Sequence, residues 1–295
     1  MNAVRNLNKL FLLVFITILV LSGCSGNAGS SEGSATPVLP TRTPFPPSPT
    51  PIPTAAVVNG DLITLAEFQE ELARYKAAVN RELTPEDQTI VINELINLTL
   101  LSQAAGSEGF QLTESELDTR IAALDTEEQP LSDWLAANGF TEDSFRNYLK
   151  RSLQAAWMRD QIINDVPWEM EQIHAQQMLF YDLASAEITL ETLNEGKGFS
   201  QMASNHDPQT QGDLGWFPPG FLTMPALDPI LFALEIGETS DIIETEIGYH
   251  IIKVLDKQDN RSLDPAIRQI LKEKALDEWF ERRWKLSTID INLPS

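Results

Sequence analysis

With 295 residues, 42% of them apolar and 22% charged, the chain is long enough for one large or two modest domains with a real core, and too ordinary for wholesale disorder or a multi-span membrane protein. Its 43 acidic residues against 21 basic ones give a net charge of −22, a field that repels nucleic acid and anionic surfaces, so no nucleic-acid partner is expected. The single cysteine, Cys24, excludes an intrachain disulfide and a multi-cysteine metal site.

The chain opens with basic Arg5 and Lys9, followed by an apolar run from Leu10 to Leu21. That run is too short to cross ~30 Å of hydrocarbon as a stable helix but suits the apolar core of a secretory signal. Leu21-Ser22-Gly23-Cys24 then resembles a bacterial lipobox. The resemblance implies a lipoprotein signal peptide over residues 1–23, diacylglyceryl transfer to the Cys24 thiol and cleavage before it. The expected location is the outer face of the cytoplasmic membrane, with acylated Cys24 in the lipid bilayer. Residues 24–54 hold eight of the eighteen prolines and many small polar residues, a composition that builds no core and favours an extended polyproline II spacer.

Residues 55–168 read as a helical domain. Ala56-Val57-Val58 is a short strand entering a turn at Asn59-Gly60, and Thr64 with Glu67 forms a capping box ahead of Phe68, Leu72 and Tyr75. A second helix is expected from Pro85 to Gly106, a third behind the capping box Thr113-Glu114-Ser115-Glu116, and a fourth from Thr141 to Ile163. Nothing in this half has catalytic spacing. Residues 169–258 change to an α+β pattern: a strand over 171–181, a helix from Ala184 to Asn194, a short helix and loop from Met202 to Gly212, a glycine-punctuated strand over 212–217, a helix from Pro225 to Leu234, and a β-branched final strand over 248–254. Residues 259–295 supply one more amphipathic helix, from Pro265 to Trp284, and a β-prone tail.

All three histidines, His174, His206 and His250, fall in the α+β part, though a lone histidine is more often structural or solvated than catalytic. Their spacing matches no zinc pattern, and there is no nucleophile elbow, Walker loop or dinucleotide fingerprint, so neither metal nor cofactor is expected. Gly212-Asp213-Leu214-Gly215-Trp216-Phe217, followed by Phe232-Ala233-Leu234, Gly237-Glu238 and Gly248-Tyr249-His250-Ile251-Ile252, resembles the parvulin family of peptidyl-prolyl isomerases. Residues 56–165 are similar to the chaperone region of SurA- and PrsA-like foldases, and residues 259–295 to the helix that returns to it. The implied fold class is α+β: a helical SurA-N-like chaperone domain plus a small parvulin domain, FKBP-like, with a four-stranded sheet.

The resemblance implies the site residues. His250 matches the family's histidine of the final strand, Asp207 its acidic or cysteine position, and Gln177 stands where a first histidine is usual; these three are the catalytic candidates. Trp216, Phe217, Leu222, Met224, Leu227 and Phe232 are the candidates for gripping the proline ring, Leu227 standing where a phenylalanine is usual. The implied function is an extracytoplasmic isomerase and foldase acting on X-Pro bonds of unfolded, newly translocated proteins. A holdase whose parvulin fold binds peptide with little catalysis is the alternative, favoured by Gln177 and Leu227. Residues 169–258 lack arginine and contain only Lys197, Lys253 and Lys257, so no phospho-specific ligand is expected.

Overall fold

The computed structural model describes residues 52–293; the expected signal peptide, Cys24 and nearly all of the spacer lie outside the described residues. Strand β1 (Thr54–Val58) begins on the last residue expected of the spacer. Asn59 and Gly60, both at positive φ, turn the chain into β2 (Asp61–Thr64), a strand absent from the sequence expectation. Thr64 caps α1 (Leu65–Val79) by accepting from the Glu67 N–H, but the reciprocal half of the expected capping box is not made. The Glu67 carboxylate bonds Arg151, which ties α1 to a helix further along the chain.

Helix α2 (Pro85–Ser107) carries a full capping box at Thr84 and Asp87. The Asp87 carboxylate also accepts from Arg81 and Tyr75, and Arg81 holds that carboxyl well below the usual range. Val91, Ile92, Leu95, Ile96, Leu98 and Leu101 bury most of the circumference of α2, making it the central helix of its half. Helices α3 (Glu114–Ala122), α4 (Leu131–Ala137) and α5 (Glu142–Asn164) follow. Helix α4 was not expected: at seven residues it is too short to show a helical repeat, and it is held by Trp134, whose ring packs on Phe140 and Phe145.

The second half is one antiparallel sheet. Long β3 (Glu169–Phe180) is followed by α6 (Leu183–Asn194), α7 (Phe199–His206), β4 (Asp213–Phe217), α8 (Asp228–Leu231), β5 (Ile243–Thr245) and β6 (Gly248–Ser262), and the strand order is β4-β3-β6-β5. Helix α8 is a single turn rather than the ten residues expected; Pro229, in its first turn, lacks the N–H that would bond back to Pro225 and carry the helix upstream. Met178, Phe180 and Ile251 on one sheet face pack against Ala186, Phe199 and Ala203 of α6 and α7.

Helix α9 (Pro265–Leu286) then returns to the first half, where Trp279 is buried in the helical core and Trp284 Nε1 donates to Asn97 Oδ1 at 2.7 Å. Strand β7 (Ile289–Ile291) pairs antiparallel with β1, giving a small sheet of order β2-β1-β7. The two crossings between the halves are fastened together. Arg268 donates to Val166 O at 2.7 Å and to Pro167 O at 3.1 Å, its guanidinium lies 3.7 Å over the Trp168 ring, and Leu263 N–H donates to Trp168 O. Val166, Leu263 and Leu271 form a small core beneath them.

Candidate functional site

The sheet face opposite α6 and α7 carries the candidate site. Alternation puts Ile173, Ala175 and Gln177 of β3 on this face, and the register places Gln177 opposite Ile252 and Leu179 opposite His250. Gln177 and His250 are therefore diagonal neighbours on adjacent strands, within reach of each other. His250 is fully buried; its Nδ1 lies 3.3 Å from Gln177 Oε1 and its Nε2 2.8 Å from Thr245 Oγ1. Because the Gln177 carbonyl oxygen only accepts, Nδ1 carries the proton in this arrangement and Nε2 accepts from the Thr245 hydroxyl. Burial pushes the His250 pKa below the usual histidine value, so the ring is neutral at neutral pH.

Two glycines make room for this pair. At Gly212, with φ +72°, a Cβ would stand 2.0 Å from the Gln177 carbonyl oxygen, and at Gly248 a Cβ would stand 2.3 Å from the Phe180 carbonyl oxygen. Strands β4 and β6 thus approach β3 closely on either side of the Gln177–Leu179 segment, and Gln177 N–H donates to Gly212 O at 2.8 Å. Around the pair lies an apolar cluster in which Phe217, Leu227, Leu231 and Ile252 are buried while Leu214, Leu222, Met224 and Phe232 are partly exposed.

The structure brings together Gln177, His250, Phe217, Leu222, Met224, Leu227 and Phe232. Phe217 and Leu227 are 0% and 1% exposed, so they belong to the packed core of this cluster, beneath the partly exposed Leu222, Met224 and Phe232. Trp216 is a correction. It pairs with His174 across the strands, stacks on the His174 ring at 5.6 Å and lies under the Arg261 guanidinium at 4.3 Å, on the face away from His250, because its neighbour Phe217 takes the inner face. Asp207 sits in the α7–β4 loop, where its carboxylate accepts from the Thr210 hydroxyl and the Gln209 and Thr210 N–H groups; these bonds hold it below the ordinary aspartate range. None of those bonds leads to the His250–Gln177 pair. His174 is engaged by Asp213 at 2.7 Å on the outer face, and His206 by Leu179 O at 2.7 Å.

Two residues of the site were not anticipated. Thr245 is reached through the β5–β6 hairpin, whose two-residue turn pairs Thr245 with Gly248 and Ile243 with His250; a threonine five residues before a histidine across such a turn is the available signal. Leu214 reaches the inner face because Gly215 adopts φ +66°, with its N–H on Asp213 Oδ1 at 2.8 Å, so a bulge against β3 reverses the alternation there.

Comparison with known proteins matches the two parts of the chain to known families. A family model described as a SurA-like N-terminal domain matches residues 1–159, and one described as a PPIC-type PPIase domain matches residues 175–258. The foldase protein PrsA of Geobacillus sp. (strain WCH70) is 30% identical over 73% of this chain and 77% of its own length. PrsA of Geobacillus kaustophilus is 27% identical over 68% of this chain and 58% of its own length. Among solved structures, PrsA peptidylprolyl isomerase from Bacillus cereus aligns over 78% of this chain and 88% of its own, at 19% identity and a TM-score of 0.43.

Proposed function

Because this chain belongs to the PrsA family of foldases, with a SurA-like N-terminal domain and a PPIC-type parvulin domain, we propose that it isomerises X-Pro bonds of unfolded polypeptides outside the cytoplasm through the His250 hollow. The observation that carries this reading is the buried, neutral His250, held between Gln177 and Thr245 beneath the apolar cluster. Rotation about X-Pro breaks no covalent bond. Its barrier, about 18–20 kcal/mol, is set by amide resonance and falls where the surroundings favour the twisted, less polar amide. The proline ring lies against Leu222, Met224 and Phe232, and the His250–Gln177–Thr245 chain fixes the polar edge beside it without a net charge. An apolar wall and a neutral imidazole disfavour the charge-separated, planar resonance form.

The catalytic candidates divide on the same geometry. His250 and Gln177 belong to the hollow, whereas Asp207 acts by shaping the α7–β4 loop that delivers Gly212 to β3. The domain division at residues 55–168, 169–258 and 259–295, with the last helix returning to the first domain, belongs to this reading. So do the signal peptide over 1–23 and the tether of Cys24 and residues 24–54 on the outer face of the cytoplasmic membrane. Unfolded proteins emerging from export are the clients. Among the described residues no helix is long and apolar enough to cross a membrane.

A protease-coupled cis/trans assay on proline tetrapeptides tests the central claim with the full chain. Acceleration above the uncatalysed rate, lost in His250→Ala, is the expected result; no acceleration by the wild-type protein overturns it. In that event, activity appearing in Gln177→His would identify a holdase with a degenerate pocket, the second reading favoured by a glutamine at this position. Fatty-acid labelling in cells, abolished by Cys24→Ser, tests the anchor, and a mature chain retaining residues 1–23 by mass spectrometry refutes it.

A further inference from the structure

The loop from Pro218 to Leu227 joins β4 to α8 and supplies Leu222, Met224 and Leu227 to the hollow. It has little internal bonding: Phe221 N–H reaches Pro218 O at 3.3 Å, and Leu227 N–H reaches Met224 O at 3.1 Å. What fixes its turn is Gly220, at φ +82°, held from two sides. Its N–H donates to Asp228 Oδ2 at 2.6 Å, and its carbonyl accepts from Lys274 Nζ at 2.8 Å. Asp228 is part of the loop's own continuation, and its Oδ1 is buried without a partner, so the inner tie uses one oxygen of that carboxylate. Lys274 belongs to α9, 54 residues further along the chain.

Helix α9 is a rigid place from which to hold a loop. One end is fastened to the crossing segments by Arg268, and the other is anchored in the helical core by Trp279 and Trp284. Lys274 lies between those anchors, and Leu271, one turn earlier, has its Cδ2 3.8 Å from where a Cβ on Gly220 would stand. A charge-assisted bond to a carbonyl in a partly buried setting is among the stronger single ties a loop can have.

We infer that Lys274 is a positioning residue for the hollow: through Gly220 it lets the helical half set the placement of Leu222 and Met224. The inference rests on the isomerase reading for its consequence, but the hold on the loop is observable without catalysis. A displacement of α9 against the sheet is transmitted to the wall of the hollow.

The test uses the full chain and the variants Lys274→Met, Lys274→Arg and Lys285→Met, the last being an exposed lysine near the far end of α9. Amide hydrogen exchange is followed in peptides covering 218–228 and, as reference, 171–180. The expected result is exchange about tenfold faster in 218–228 alone for Lys274→Met, largely restored in Lys274→Arg and unchanged in Lys285→Met. In the tetrapeptide assay Lys274→Met should raise KM with kcat little changed, since the loop grips the ring while the hydrogen bonds of His250 run to Gln177 and Thr245, outside the loop. Unchanged exchange, or exchange that rises equally in 171–180, overturns the inference, the latter showing a general loss of stability. Selective loosening in a protein whose wild type shows no isomerase activity supports the hold on the loop and refutes the activity.

Discussion

Gly212→Ala is the most informative single change because its cost can be built from two separable parts. The first is conformational: φ +72° is left-handed backbone, and a Cβ there costs about 1–2 kcal/mol. The second is a collision, since the new Cβ would lie 2.0 Å from the Gln177 carbonyl oxygen and real contacts stay beyond 3.0 Å. The segment entering β4 must therefore retreat from the central strand by about 1 Å, which stretches the 2.8 Å bond from Gln177 N–H to Gly212 O beyond bonding range and leaves that donor unpaired, at a cost of about 1–3 kcal/mol. The sum is about 2–5 kcal/mol. Gly215→Ala carries the first part alone, since Gly215 sits three residues on at φ +66° with nothing within 4 Å of an added Cβ, so the difference between the two variants isolates the second. Urea unfolding followed by tryptophan fluorescence should place Gly212→Ala below Gly215→Ala by about 1–3 kcal/mol at unchanged m-value, and its isomerase activity should fall further than its stability because Gln177 moves. Equal midpoints for the two variants would refute the close-approach argument.

Thr245→Val leaves His250 Nε2 without its donor, so kcat/KM should fall about five- to tenfold in the tetrapeptide assay while Thr245→Ser keeps most of it. Burial places the His250 pKa below its unfolded value near 6.5, so the unfolded chain binds the proton first; the stability tied to the neutral ring is complete above about pH 6.5 and is lost as pH falls toward the folded value. Denaturant midpoints at pH 7.5 and 5.5 should therefore differ less in His250→Gln than in the wild type, and an unchanged difference would count against it. Glu94 runs the other way: burial, then the neighbouring Glu71, push its pKa up to about 7 from 4.5, so the folded state holds a proton that the unfolded chain releases, and stability drains as pH rises from about 4.5 through 7. Glu94→Gln should gain on the wild type at pH 8 by on the order of 2 kcal/mol and lose that advantage at pH 5, by thermal or chemical unfolding.

The long elements were legible because their signals are local and repeated. Thr113 announces a helix by a cap that depends on four residues, Phe145, Leu149 and Trp157 announce another by their spacing, and the β-branched run after Gly248 reads as a strand. Helix α4 and strand β2 were not legible, since seven and four residues carry too little periodicity and tertiary packing decides them. In the site, His250 and Gln177 were found through a resemblance, and the sheet register then placed them side by side. Trp216 and Phe217 were both candidates for gripping the ring, but adjacent strand residues point apart, and it is Phe217 that shares the face of His250. Leu214 escaped for the complementary reason: the Gly215 bulge suspends that alternation at one position, and only backbone geometry reveals it.

The pairing of β1 with β7 sets an order of events for the chain. Ala56 lies opposite Ile291 and Asn292 N–H reaches Ala55 O, so the sheet beside the helical core draws on residues more than two hundred positions apart, with the whole of β3 to β6 between them. A contact of that sequence separation is slow to form, because its loop-closure entropy is spent before any packing rewards it. The four-stranded sheet, built from neighbours within one stretch of chain, can assemble as soon as β6 is free. The helical half must wait, its α2 core lacking Trp279 until α9 arrives. During emergence through a membrane, the sheet that carries His250 can therefore form first, while its 218–227 loop gains its tie to Lys274 only when α9 arrives, together with the helical core.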